Sequence, residues 1–332
     1  MSRYAWPGGA WTGIGSLPGA DPAEAIRLVL GEYERLPFLP ELPGRGMGSE
    51  LIGRTASVLV DLPVELQPGG WTMAGRPGRD LRRARDFLHR DLDLVTELAA
   101  GVPVLKVQLA GPLTLAAGLE LPTLHKVISD RGATRELAES LAEGAAGLLT
   151  ELARRLPDTA FVLQLDEPGL PAVLAGAVPT PSGYGTVRSV AQPDATQLLA
   201  GVLAVAPVGA RVVHCCAADV PYRLVAAAGA DAVAVDAGLL AAAHLDAIGE
   251  FVDAGRALWL GAVPATGSTL ELAPARSSVR ELWRKLGFDD TVLAERVVLT
   301  PACGQAGATP AYVRRSAKVL QELARAVAEQ SL

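Results

Sequence analysis

Short apolar runs alternate along the chain with longer segments in which apolar residues recur every three or four positions. Seven runs predict strands, at residues 12–16, 102–109, 160–166, 211–214, 232–236, 257–262 and 296–300. Eight segments predict helices, at residues 21–35, 79–100, 134–155, 194–205, 220–228, 239–254, 277–286 and 309–329. Strands that alternate with helices are typical of a parallel α/β fold.

An eighth strand has room between residues 36 and 66, where four prolines interrupt any periodicity. Eight strand–helix units predict a single (β/α)8 TIM barrel. An open doubly wound sheet is the alternative, but no G-x-G-x-x-G sequence follows an early strand. Because neither an internal repeat nor a low-complexity linker is evident, we expect one domain over residues 1–332.

Composition narrows the class of protein further. The 332 residues carry 30 basic and 36 acidic side chains, a formal charge of −6, and half of them are apolar. This balance argues against nucleic-acid and anionic-membrane partners. The most apolar stretch, residues 224–243, contains Asp231 and Asp236, so we interpret it as a helix, a turn and a buried strand.

Three cysteines are too few, and odd in number, for a disulfide framework. Residues 1–18 are broken by proline and glycine and lack the charged and apolar regions of a signal peptide. We therefore expect a reduced protein in the cytoplasm.

Reactive side chains gather where the predicted strands end. The carboxyl ends of barrel strands form one rim, which is where catalytic residues of such folds lie. The polar segments at this rim are Ile14-Gly15-Ser16-Leu17-Pro18, Gln164-Leu165-Asp166-Glu167-Pro168, His214-Cys215-Cys216, Asp236 and Pro301-Ala302-Cys303-Gly304. Asp166 and Glu167 are adjacent in a strand, so only one of them faces the rim, which disfavours a paired-carboxylate mechanism.

His214 and Cys216 are two residues apart, so their side chains point the same way, while Cys215 points oppositely and is expected to pack in the core. His214, Cys216 and Cys303 form a set of one imidazole and two thiolates that suits zinc. Asp236, one strand further on, is the candidate fourth ligand. A zinc ion bound by two thiolates is electron-rich and better suited to holding an incoming thiol as a thiolate than to activating water. The residues therefore favour thiol alkylation.

Four of these segments together resemble the catalytic barrel of cobalamin-independent methionine synthase, and the resemblance covers nearly the whole chain. The markers are Ile14-Gly15-Ser16-Leu17-Pro18, Gln164-Leu165-Asp166-Glu167-Pro168, His214-x-Cys216 and Pro301-Ala302-Cys303-Gly304. The resemblance implies a zinc-dependent transfer of a methyl group to homocysteine, with zinc held by His214, Cys216 and Cys303.

The resemblance also implies how the amino acid is held. Ser16 is expected to bind the carboxylate of homocysteine, and Asp166 its ammonium group. A second carboxylate from the loop after the first helix, either Glu41 or Glu50, is expected to help bind the ammonium group.

Three features depart from the family pattern. Asp236 stands where the family has a glutamate as zinc ligand. Residues 261–264 read Gly-Ala-Val-Pro where the long enzymes carry a proton-handling histidine. The preceding half of the long enzymes is also expected to be absent. Methyltetrahydrofolate needs an acid to protonate its leaving amine, and the histidine that would serve is missing. The methyl donor therefore stays open between methyltetrahydrofolate and a methylcorrinoid, free or bound to a partner protein.

Two alternatives stay open as well. One is methyl transfer to a different thiol. The other is a non-catalytic regulatory barrel that binds zinc, which the missing histidine and the shorter Asp236 would favour.

Overall fold

The computed structural model describes residues 3–331 of the chain. Within them the strands are β1 (Val64–Gln67), β2 (Gly70–Met73), β3 (Val104–Ala110), β4 (Ala160–Asp166), β5 (Arg211–Cys215), β6 (Ala232–Asp236), β7 (Ala257–Val263) and β8 (Val297–Pro301). Strands β3 to β8 form one parallel sheet in chain order, and β1 pairs with β2 as a separate antiparallel hairpin. The α/β class and six of the seven strands expected from the sequence are confirmed.

The α-helices of the described residues begin before β1 and continue between and after the strands. They are α1 (Pro22–Glu32), α2 (Leu51–Ala56), α3 (Arg79–Leu98), α4 (Pro112–Gly118), α5 (Arg131–Arg155), α6 (Leu170–Ala175), α7 (Gln192–Leu203), α8 (Tyr222–Ala227), α9 (Leu245–Asp253), α10 (Leu272–Leu286), α11 (Asp290–Arg296) and α12 (Pro310–Ala328). Four short helices of six or seven residues each, α2, α4, α6 and α11, were not predicted from the sequence.

Residues 12–16 do not form a regular strand, which corrects the prediction for that segment. This part of the chain and residues 38–41 instead join the sheet through single parallel bridges, namely Trp11 with Leu299, Ser16 with Glu41, and Phe38 with Lys106. Glycine at 13 and 15 and proline at 37 and 40 explain the irregularity. Prolines lack the N–H that a ladder requires, and the glycines admit close neighbours that a side chain would displace.

The sheet is buried on both faces, as expected for parallel strands. One apolar cluster lies between the strands and the surrounding helices. A second, on the opposite face, contains Ile14, Val162, Val212 and Trp259, and the indole of Trp6 meets that of Trp259 edge to face at 5.1 Å. All of β3 is buried, including the polar Lys106 and Gln108.

The apolar stretch at residues 224–243 was correctly predicted to be interrupted. It begins with the end of α8, a turn with Gly229 at φ +87° and β6, and short 3-10 helical turns follow the strand. Among residues 3–331, no helix combines the length and the apolar character needed to cross a membrane.

Candidate metal centre

The candidate ligands lie at or just beyond the carboxyl ends of strands that the sheet brings together. His214 is within β5, Cys216 follows it directly, and Cys303 follows β8. Their ligand atoms all lie within 4.8 Å of one another, and the Sγ atoms of Cys216 and Cys303 are 3.1 Å apart. Ligands that are more than 80 residues apart in sequence therefore meet in one small volume.

The imidazole of His214 is oriented by a carboxylate. In the register of β4 and β5, Asp166 lies opposite His214, and its Oδ1 is 2.7 Å from Nδ1 of the imidazole. The other ring nitrogen, Nε2, is buried and has no hydrogen-bond partner among the described residues. A buried polar atom without a partner is costly, and metal-binding histidines characteristically give their second nitrogen to a carboxylate. One free imidazole nitrogen and two adjacent thiols fit zinc.

The three groups also shift one another's protonation. Burial alone lowers the pKa of His214, but the hydrogen bond with Asp166 and the negative charges of Asp166 and Cys303 outweigh it and raise the pKa to about 9. The hydrogen bond with Cys216, helped by His214, lowers the pKa of Cys303 to about 4. The same sulfur pair, together with burial, raises the pKa of Cys216. Without a metal, the site therefore favours a thiolate at Cys303 beside a charged imidazole.

Asp236 does not join this group of ligand atoms in the described structure. Its side chain is partly exposed, and Oδ1 accepts a hydrogen bond from the Gly238 amide at 2.8 Å, which caps a short turn at the end of β6.

Ser16 lies between the segment that carries Glu41 and the loop that carries Cys303. It is bridged to Glu41, and its carbonyl accepts a hydrogen bond from the Gln305 amide at 2.8 Å. A side chain at Gly304 would collide with the Ser16 hydroxyl oxygen, so glycine is required for this approach. The serine predicted to bind substrate is thus placed beside the cysteine predicted to bind zinc.

The two candidate acids for the ammonium group have different surroundings. Glu50 is the N-cap of α2, and its carboxylate already accepts hydrogen bonds from the amides of Gly48 and Gly53 and from the indole of Trp71, at 2.6–2.9 Å. Glu41 is 4% exposed, and its Oε1 has no partner among residues 3–331. The structure therefore leaves Glu41, rather than Glu50, with an unused acceptor.

Charge interactions place Glu41 near the other polar groups of the site. Burial raises the pKa of Glu41 to about 7, attraction by Arg54 opposes this, and repulsion by Asp166 adds to it. Burial likewise lowers the pKa of Lys106 to about 7, against the attraction of Asp166 and Glu41. The site thus contains two carboxylates and one amine in a poorly solvated space.

Asp166 and Glu167 face opposite sides of the sheet, as their adjacency predicted. Glu167 is fully buried and accepts hydrogen bonds from Leu113 N, Thr114 N and Thr114 Oγ1 at 2.7–2.9 Å, which anchors the start of α4. Cys215 is fully buried within the apolar core, as predicted.

Sequence reasoning missed the polar groups beneath Asp166. Gln164 donates a hydrogen bond to Asp166 Oδ1 at 2.8 Å, and Lys106 donates one to Gln164 Oε1 at 2.8 Å. Polar residues at alternate positions of β3 and β4 were the available signal, because a period of two places Lys106 and Gln108, and likewise Gln164 and Asp166, on one face.

Comparisons with known proteins give the family of the chain and structures of similar fold. The model of a family described as the catalytic domain of cobalamin-independent synthase matches residues 93–326. Among solved structures, the chain is similar to a B12-independent methionine synthase from Shewanella sp. W3-18-1 in complex with selenomethionine. The identity is 12%, the TM-score is 0.63, and the match covers 98% of this chain and 99% of that chain. At this identity the likeness concerns the fold alone.

Weaker structural matches include two proteins designated GH5_18. The protein from Bifidobacterium longum subsp. infantis has 12% identity and a TM-score of 0.48, over 95% of this chain and 78% of that chain. The protein from Streptomyces cattleya, in complex with GlcNAc, has 15% identity and a TM-score of 0.48, over 98% and 81%. No curated protein matches the sequence.

Proposed function

Because this chain belongs to the family of cobalamin-independent synthase catalytic domains, we propose that it is a zinc-dependent methyltransferase that converts homocysteine to methionine. One observation carries the proposal. A cluster of one imidazole and two thiols lies beside a serine and two carboxylates that suit an amino-acid head group.

Zinc binding rests on His214, Cys216 and Cys303. The unpartnered Nε2 of His214 and the two adjacent sulfurs supply three ligands, and Asp236 remains the candidate for a fourth after a change of side-chain rotamer. A bound zinc ion supplies the Lewis acidity that keeps a coordinated thiol ionised at neutral pH.

The other residues position the amino acid. The Ser16 hydroxyl is suited to donate to the substrate carboxylate. Asp166 uses Oδ1 for Gln164 and His214, and Oδ2 has no hydrogen-bond partner among the described residues, so it is available to the ammonium group. Glu41 offers a second acceptor. Fixing the head group beside the ligands makes methyl transfer effectively intramolecular.

We also propose that residues 1–332 form one domain built as a closed (β/α)8 barrel. The parallel bridges at Trp11, Ser16 and Phe38 support this, because they link β8 to residues 11–16, those residues to residues 38–41, and the latter to β3. In this interpretation the two irregular segments take the places of the first two barrel strands.

The methyl donor is constrained by the side chains at the end of β7. Residues 261–264 read Gly-Ala-Val-Pro, so none of their side chains is able to donate a proton, and Val263, which stands where the long enzymes have the histidine, is buried in the apolar core. A donor whose leaving group needs no proton, such as a methylcorrinoid, suits this site, whereas methyltetrahydrofolate needs an acid from elsewhere.

The test is a methionine-formation assay with homocysteine and a panel of donors, namely methyltetrahydrofolate as mono- and polyglutamate, and methylcobalamin. Metal content is measured on the same samples. Cys216→Ser is compared with Cys215→Ala, which removes a buried thiol outside the ligand set. We expect bound zinc and methionine formation in the wild type and in Cys215→Ala, and the loss of both in Cys216→Ser.

Other outcomes would replace the proposal. Stoichiometric zinc together with turnover of another thiol, and none of homocysteine, would favour the other-thiol enzyme. Zinc without turnover of any thiol would favour a non-catalytic zinc-binding barrel. Absence of zinc from the wild type, or its retention by Cys216→Ser, would refute the metal assignment.

A further inference from the structure

A chain of hydrogen bonds runs from the buried Lys106 to the candidate metal ligand His214. Lys106 Nζ donates to Gln164 Oε1 at 2.8 Å, Gln164 Nε2 donates to Asp166 Oδ1 at 2.8 Å, and Asp166 Oδ1 is 2.7 Å from His214 Nδ1. Lys106, Gln164 and His214 are each at most 3% exposed, and Asp166 is 6% exposed.

The direction of each hydrogen bond follows from which of the groups can only donate and which can only accept. The carbonyl of Ile14 only accepts, and it receives hydrogen bonds from Lys106 Nζ at 2.6 Å and from Gln164 Nε2 at 2.8 Å. The amide of Gln164 is therefore held with its nitrogen toward Ile14 and Asp166 and its oxygen toward Lys106. In the flipped amide, Gln164 Oε1 would face the Ile14 carbonyl and the Asp166 carboxylate, and three acceptors would then meet.

This orientation determines what Asp166 is able to do. Because Gln164 donates to Oδ1, that oxygen acts as an acceptor, and its second hydrogen bond is accepted from the Nδ1–H of His214. The imidazole then presents Nε2 to Cys216 and Cys303. Ligand histidines are commonly fixed in this way by a carboxylate, and the loss of such a partner typically lowers metal affinity about 10–100-fold.

We propose that Lys106 is a positioning residue for the metal centre, acting through Gln164 and Asp166 to hold His214 with Nε2 toward the metal. The inference rests on the proposed zinc site and extends it to a residue on β3 that touches neither metal nor substrate. A lysine suits this position because its amine donates to both the Ile14 carbonyl and Gln164 Oε1. The Phe38 ring, whose centroid lies 5.2 Å from Nζ, favours the charged form of the amine.

The experiment measures the zinc dissociation constant by competition with a chromophoric chelator for wild type, Lys106→Met, Asp166→Asn and the double variant. We expect each single variant to bind zinc at least about tenfold more weakly. In the double variant, the loss should be close to that of Asp166→Asn alone, because the lysine acts only through the carboxylate. Lys126→Met is the matched control, because Lys126 pairs with Glu120 outside the chain of hydrogen bonds. This variant should bind zinc as tightly as the wild type does.

A second variant covers the case in which Lys106→Met does not fold. Gln164→Glu keeps an acceptor for Lys106 but offers no N–H to Asp166, so it should also weaken zinc binding at least about tenfold. The visible spectrum of the cobalt-substituted protein should change in both variants, because the ligand imidazole is less constrained.

The outcomes separate this inference from the proposed function. If the wild type binds no zinc, both are wrong. If the wild type binds zinc and folded Lys106→Met or Gln164→Glu binds it equally tightly, only the role of Lys106 is wrong. Strictly additive losses in the double variant would also overturn it, since they would mean that Lys106 acts independently of Asp166.

Discussion

Replacing Glu41 with glutamine is expected to stabilise the protein and impair its substrate binding at the same time. Burial raises the pKa of this carboxyl from 4.5 to about 7. At about 1.4 kcal/mol per pH unit, ionising Glu41 in the folded protein therefore costs about 3 kcal/mol more than in the unfolded chain. Such a cost is typical of a group that is kept for function.

The sign of the pH dependence follows from proton binding. The folded protein keeps the Glu41 proton up to about pH 7, whereas the unfolded chain releases it near pH 4.5. The folded state therefore binds more protons in this window, and the contribution of Glu41 to stability is lost as the pH rises through it. Glutamine does not titrate, so Glu41→Gln should match the wild type near pH 4.5 and exceed its free energy of unfolding by about 3 kcal/mol at pH 8.

The assay is urea denaturation at several pH values between 4.5 and 8 with metal-free protein, because bound zinc would itself stabilise the fold in a pH-dependent way. In parallel, the KM for homocysteine of the zinc-loaded variant should rise at least about tenfold, as expected for losing a charged hydrogen bond.

Glu50→Gln is the matched control. Its carboxylate accepts three hydrogen bonds from Gly48, Gly53 and Trp71, so its replacement should lower the free energy of unfolding at pH 8 by about 1–3 kcal/mol and leave the KM unchanged. A stability difference between Glu41→Gln and wild type that is the same at pH 5 and pH 8 would refute the reasoning. So would a raised KM in Glu50→Gln alone.

Three further outcomes are expected. Glu167→Ala should lower the free energy of unfolding by about 3–5 kcal/mol in urea denaturation, since it leaves three buried donors at the start of α4 without an acceptor. A loss below about 1 kcal/mol would contradict this expectation. Chelation of zinc should expose two thiols to a thiol reagent in the folded protein, Cys303 reacting faster than Cys216 because its pKa is lowered and that of Cys216 raised, while Cys215 reacts only after unfolding. Equal reactivity of Cys303 with and without zinc would disprove the assignment. Gly304→Ala should raise the KM for homocysteine with little change in zinc content, because the new methyl group displaces the serine hydroxyl it faces; an unchanged KM would exclude that serine from substrate binding.

The alternation of strands and helices could be predicted from the sequence because each element is encoded locally. Apolar runs of four to eight residues predicted β3 to β8 within two residues of their observed ends. The same reasoning failed at residues 12–16 and assigned no element at residues 38–41, where close packing and single bridges, rather than a repeating pattern, position the backbone.

The ligand types were also evident from the sequence, since His214, Cys216 and Cys303 follow predicted strands, and parallel strands end on one rim. The distance between His214 and Asp166 was not evident from the sequence, because the register of neighbouring strands is a tertiary property. Only the pairing of β4 with β5 places Asp166 opposite His214 and turns a predicted ammonium ligand into a partner of the imidazole as well.

The choice between Glu41 and Glu50 shows the same division. Both are acids in one loop, and the sequence determined only that an acid was available there. The tertiary structure decided which one has a free acceptor, because Glu50 uses its carboxylate to cap α2 and to bind an indole, while Glu41 is buried with Oε1 unpartnered. Residue type and the local period of apolar residues are properties of the sequence, whereas hydrogen-bond partners and desolvation arise only when distant segments meet in the folded protein.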